Sequence, residues 1–132
     1  MKTIIRSLVV PLLLIIATPA YSDSSHVLQI FRCEFNDEKT TEGEVLDLAT
    51  TWLKAAKQMK GGENMLLVIR FPIAVGTGGV GDFTWVISTP TFAEWGAFTD
   101  AYEGSEASKV DDKFDNLTDC GDSTMWEGQK IQ

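Results

Sequence analysis

Asn64–Val75 (NMLLVIRFPIAV) is the most apolar run that follows the first 22 residues, and a single charge, Arg70, sits inside it. A short continuous apolar run rich in β-formers reads as a strand buried on both faces. By alternation, Leu66, Val68, Arg70 and Ala74 share one face, and Leu67, Ile69, Phe71 and Ile73 the other. The second set is wholly apolar and is expected to pack under helices, against Trp52 and Trp95. Arg70 then points to the opposite face.

The segments on either side can be placed around this strand. Upstream, His26–Phe35 (HVLQIFRCEF) has strand composition and ends in a turn at Asn36-Asp37. Thr41 and Glu44 form a capping box, and apolar residues recur with helical period at Val45, Leu48, Ala49, Trp52, Ala56 and Met59. Lys54, Lys57 and Lys60 suit the negative end of that helix dipole, and Gly61-Gly62 stops the helix. Downstream, the Gly-rich stretch 76–81 leads into a strand over Asp82–Thr89 (DFTWVIST), which predicts an antiparallel hairpin. A phosphate loop is excluded there: no Gly-Lys-Ser/Thr follows, and the next element is a strand rather than a helix.

A second helix starts at Thr89-Pro90 or at Thr91, with Glu94 three residues after Thr91 and an aromatic stripe at Phe92, Trp95, Phe98 (or Thr99) and Tyr102. After Gly104 a further helical pattern runs through Ala107, Val110, Phe114 and Leu117, and Ser123–Ile131 reads as the last strand. The order strand, helix, strand, strand, helix, strand is the split βαβ arrangement. It implies an α+β ferredoxin-like fold, βαββαβ, with a four-stranded antiparallel sheet and helices on one face. In that topology the first and last strands are antiparallel neighbours. Cys33 near the end of one and Cys120 just before the other are therefore expected to form a disulfide.

The totals narrow the class. Lys2 and Arg6, the apolar Leu8–Ala17 and the Ala20-Tyr21-Ser22 site have the layout of a secretory signal peptide over residues 1–22. A single domain over 23–132 is expected to follow, exported to the periplasm or the exterior, with no membrane attachment after cleavage. The formal charge of −8 becomes −10 without Lys2 and Arg6, which argues against nucleic acid and anionic membrane as partners. Two cysteines in an exported chain suit one bridge, and neither has a second Cys or His at metal-ligand spacing. Asp111, Asp112, Asp115, Asp119 and Asp122 miss the EF-hand spacing, since Leu117 stands where a ligand is needed. No metal and no cofactor is expected.

The element order, together with the tryptophan-bearing third strand (Phe83-Thr84-Trp85) running into Thr91–Tyr102, resembles the dimeric α/β-barrel superfamily. That superfamily includes antibiotic-biosynthesis-type monooxygenases and stress-responsive barrel proteins. The resemblance covers the whole chain after the signal segment. It implies a homodimer paired through its sheets and a cavity between sheet and helices. It implies no activity, because one fold hosts many functions. Haem-degrading relatives need an axial ligand, typically His, and the sole His26 is N-terminal, so no catalytic residue is carried over.

Four residues stand out as ligand-binding candidates: Arg70, Arg32, Trp126 and Trp85. A guanidinium among Leu67, Val68, Ile69 and Phe71 needs a partner or solvent. It reads as an anion site shared with Arg32, as an internal ion pair with Glu34 or Asp82, or as an edge residue whose head reaches solvent. The tryptophans could line an apolar pocket for a small-molecule ligand, or could simply fill the core. Two function classes follow. One is a non-catalytic exported module that binds a small apolar or carboxylate ligand or assembles as a homodimer. The other is a small oxygenase- or isomerase-like enzyme using the barrel cavity.

Overall fold

The computed structural model describes residues 25–74 and 81–129. Residues 1–24, where the signal peptide is expected, most of the Gly-rich connection and the last three residues lie outside these. Elements follow the order β1 (Ser25–Phe35), α1 (Glu42–Ala56), β2 (Leu66–Arg70), β3 (Phe83–Thr89), α2 (Phe92–Asp100), α3 (Glu106–Phe114) and β4 (Thr118–Gln129). The strands form one sheet in the order β2-β3-β1-β4, and every described pairing is antiparallel. This is the ferredoxin-like α+β fold, with the second helical segment broken in two.

Helix α1 begins where its sequence dictates. Thr41 caps it, the Glu44 backbone N–H donates to the Thr41 hydroxyl, and the Glu44 carboxylate accepts from the Thr41 N–H at 2.9 Å. These bonds hold the Glu44 carboxyl below its ordinary range. The helix ends at Ala56, a turn earlier than its apolar period suggests, and Lys57 caps it. Gly61 follows with φ of 83°, and a Cβ there would lie 2.2 Å from the Glu94 carbonyl oxygen on α2. The glycine is therefore needed twice, for its backbone angle and for close approach.

The apolar run 64–75 is not a central strand buried on both faces. It forms β2, five residues long, at the edge of the sheet. Pro72 has no N–H to give to the ladder, so pairing stops at Arg70. Leu67, Ile69 and Phe71 do pack against the core, but Ile73 is fully exposed. Leu66 and Val68 are 60% and 47% exposed, because the helices cover only one face of the sheet. The two-sided burial belongs to β3. Its Phe83, Trp85 and Ile87 lie in the core beneath the helices, while Val86 is covered on the other face between Val68 and Ile30.

Strand β4 begins five residues earlier than its composition suggests, because pairing with β1 decides its start. Cys120 therefore lies within the strand, opposite Cys33, and the two sulfurs are at disulfide distance, 2.01 Å. Phe31 faces Ser123 and Cys33 faces Cys120, so Gly121 and Asp122 together oppose Arg32 in a bulge. The bulge restores the alternation that turns both cysteines toward the helices.

Two stability predictions follow. The Cys33–Cys120 bridge spans a sequence separation of 87, worth roughly 4–5 kcal/mol in the chain-entropy model. Denaturant unfolding with and without reductant, and of the double Cys→Ala variant, should show a loss of that order. Gly61→Ala should cost about 1–3 kcal/mol from backbone strain alone, before the contact with α2 is counted. Chemical denaturation reads that difference directly, and an unchanged midpoint would contradict the close approach.

Candidate functional site

The helical cover is uneven. Helix α2 is short and ends at Asp100, the chain turns through Ala101–Gly104, and Ser105 caps α3 in a new direction. Beneath that elbow, above β1 and β3, lies a cavity of about 390 Å³. Its inner wall is aromatic: Trp52 from α1, Trp85 from β3, Phe98 from α2 and Phe114 from α3 are all buried. Trp52 meets Trp85 edge-on with ring centres 5.1 Å apart, and Trp85 meets Phe114 at 4.8 Å.

Polar groups enter this wall at two points. The Trp52 Nε1–H donates to the Tyr102 hydroxyl at 2.8 Å, and the Trp95 Nε1–H donates to the Gln29 Oε1 at 3.2 Å. Two indoles thus line the cavity while their N–H groups are satisfied. The Tyr102 hydroxyl is flanked in turn by the Asp111 carboxylate. Burial raises Asp111 above the ordinary carboxyl range; the Tyr102 hydroxyl works against this, while Asp115 and Asp112 add to it. Burial also drives the Tyr102 phenol upward, so it stays protonated. Thr99, Glu103 and Asp115 are exposed at the mouth. No Lys, Arg or His is among the cavity's lining residues.

The sequence candidates divide between the two faces of the sheet. Trp85 lines the cavity. Arg70, Arg32 and Trp126 stand on the opposite, helix-free face, all exposed, so the four do not converge on one enclosed site. Arg70 and Arg32 both face Thr84 across the ladder. Neither forms the expected ion pair with Glu34 or Asp82; the ion pair found among the described residues is Lys109–Glu106. The Asp82 carboxylate accepts instead from the Phe35 backbone N–H at 2.8 Å. The Thr84 hydroxyl between the two arginines is buried and has no hydrogen-bond partner among the described residues. Trp126 donates to Thr124 at 3.0 Å and is 57% exposed.

The aspartates of α3 form no metal-holding group among the described residues. In the sequence Asp111 belongs to a set of aspartates without calcium-loop spacing, and Tyr102 to an aromatic stripe. Their convergence depends on the turn at Ala101–Gly104, and the positive φ of Gly104 (73°) was its one local signal.

No protein-family model matches this chain, and no curated protein does. Nineteen solved chains match by structure. One is a dimeric ferredoxin-like protein of unknown function from Thermobifida fusca, with TM-score 0.49 and 14% identity over 84% of this chain and 96% of that one. Another is a dimeric protein of unknown function and ferredoxin-like fold from Bacteroides fragilis, with TM-score 0.42 and 4% identity, covering 81% and 97%. A mutant chlorite dismutase from Candidatus Nitrospira defluvii gives TM-score 0.39 and 14% identity, covering 81% of this chain and 41% of that one. These are distant likenesses of layout and assign no activity.

Two substitutions test the polar side of the cavity. Tyr102→Phe leaves the buried Trp52 N–H without its acceptor and should cost about 1–3 kcal/mol. Asp111→Asn should act in the other direction. A carboxyl whose folded pKa is raised gives stability that is present below the unfolded pKa and lost as pH rises through the folded one. The neutral amide avoids that loss, so its melting temperature should exceed the parent's at pH 7, with the gap closing in acid. Calorimetric scans of both proteins across pH test this, and a lower melting temperature for the variant at pH 7 would refute it.

Proposed function

We propose that this chain is an exported, non-catalytic ferredoxin-like module that acts as a homodimer and holds a small, mostly apolar ligand between its sheet and its helices. The observation that carries this reading is the 390 Å³ cavity, walled by aromatic rings and entered by few polar groups, the usual composition of a small-molecule site. Export is supported by the signal-like residues 1–22 and by a cysteine pair at disulfide distance. No described helix is long and apolar enough to cross a membrane.

The homodimer reading rests on the helix-free face. Leu66, Ser88, Leu28 and Trp126 make one row across all four strands, and Val68, Val86, Ile30 and Thr124 the next. A face of this kind is larger than a monomer comfortably exposes. A second copy stacked on it would bury the two apolar rows and leave the Arg70–Thr84–Arg32 row as a polar rim. A carboxylate set in that rim would satisfy both guanidiniums and the Thr84 hydroxyl together.

Asp111 favours a second reading. A half-buried carboxyl with a raised pKa, next to a protonated phenol and inside a cavity, could serve as the base of an isomerase-like enzyme. Solvent-deuterium exchange into candidate carbonyl compounds tests it, and Asp111→Asn should abolish any exchange observed.

Light scattering should report a dimer at micromolar concentration, and Leu66→Asp with Trp126→Asp should yield a folded monomer. Arg70→Met should weaken the dimer while changing the stability of the separated chain by no more than about 0.5 kcal/mol, since the residue is exposed and unpaired. A parent protein that is monomeric at that concentration would overturn the assembly reading.

A further inference from the structure

The helix-covered cavity has a sign. Among the described residues, Glu103, Asp111 and Asp115 are the ionisable acids that border it, and no cationic side chain lines it. The same residues exclude the carboxylate ligands that Arg70 and Arg32 had suggested, because those arginines stand on the other face of the sheet. An anion entering here would meet three acidic groups and no compensating charge.

The aromatic walls point the same way independently of the acids. The Trp52 and Trp95 N–H groups are already engaged, by Tyr102 and Gln29. What the aromatic lining offers a guest is π surface rather than a free indole N–H, and aromatic rings attract a cation set over a face. Asp111 completes the pattern. It is the innermost of the acids, half-buried and faced by the Tyr102 phenol, and no Lys, Arg or His among the described residues lines the cavity beside it. A guest bearing positive charge would supply the missing counter-charge.

We infer that the cavity bounded by Trp52, Trp85, Trp95 and Tyr102 takes an organic ammonium ligand, its apolar body against the indoles and its cationic head toward Asp111. This rests on the reading of the cavity as a ligand site and adds the charge class of what enters it. The acids at the mouth, Glu103 and Asp115, would draw the cation in, and the aromatic floor would select for an attached hydrocarbon or aromatic group. A simple metal ion would gain little, since the acids border a largely apolar space and form no metal-holding group among the described residues.

Three probes of similar shape separate charge from fit: 2-phenylethylammonium, 2-phenylethanol and 3-phenylpropanoate. Titration calorimetry on the full protein at pH 7 should find the ammonium binding about tenfold or more tighter than the alcohol, as a partly desolvated cation–π contact with a facing carboxylate implies. The carboxylate probe should show no binding. In Asp111→Asn the ammonium should fall to the affinity of the alcohol, while the alcohol's own affinity stays within about twofold of its parent value. Trp85→Ala should weaken ammonium and alcohol alike, provided circular dichroism shows the variant folded. Equal binding of ammonium and alcohol by the parent protein would overturn the charge preference and leave the apolar site standing. Binding of none of the three would overturn both.

Discussion

The Trp52 indole holds the two layers of this fold together. It rises from α1, meets Trp85 of β3 edge-on, packs against Phe98 of α2 at 5.9 Å and donates its N–H to Tyr102 just beyond α2. A buried tryptophan is favourable only when its one donor is satisfied. That requirement fixes where the chain after α2 must run, and so fixes the elbow before α3. The cavity is the space left when this single hydrogen bond is met at the edge of the core rather than in its middle.

The two faces of the sheet show how few residues such a layer needs. With helices on one side only, the inner strand β3 is covered on both faces while the edge strand β2 is not. The outward side chains of β2 and β4 form an apolar field ending in the Arg70–Thr84–Arg32 row. The cysteine pair ties β1 to β4 at the end of the sheet where that pairing is bulged. Chain closure and strand register are thereby settled at the same place.

Charge separates the two sides further. The covered side is bordered by Glu103, Asp111 and Asp115, and the open side carries two guanidiniums around an unpartnered hydroxyl. A net charge of −8 would suggest only general acidity. The fold places three carboxylates around an aromatic hollow and leaves Arg70 and Arg32 exposed on the other face. Electrostatics of this kind belongs to the layer arrangement and is not visible in the total.

The sequence by itself determined the element types, their order and most of their starts, because these depend on local chemistry. Thr41 with Glu44 and Thr91 with Glu94 act within a few residues of their own position. The neighbouring of Cys33 and Cys120 followed from topology once the order was known. Only the tertiary structure decided which strand was inner and which was edge, since an apolar run looks alike in both places and Pro72 cut this one short. It also decided that Trp85 would line the cavity, that β4 would begin at Thr118, and that Tyr102 and Asp111 would meet. Those outcomes depend on long-range pairing and on a turn at Gly104, where residues distant in sequence must share one buried space and satisfy one another's polar groups.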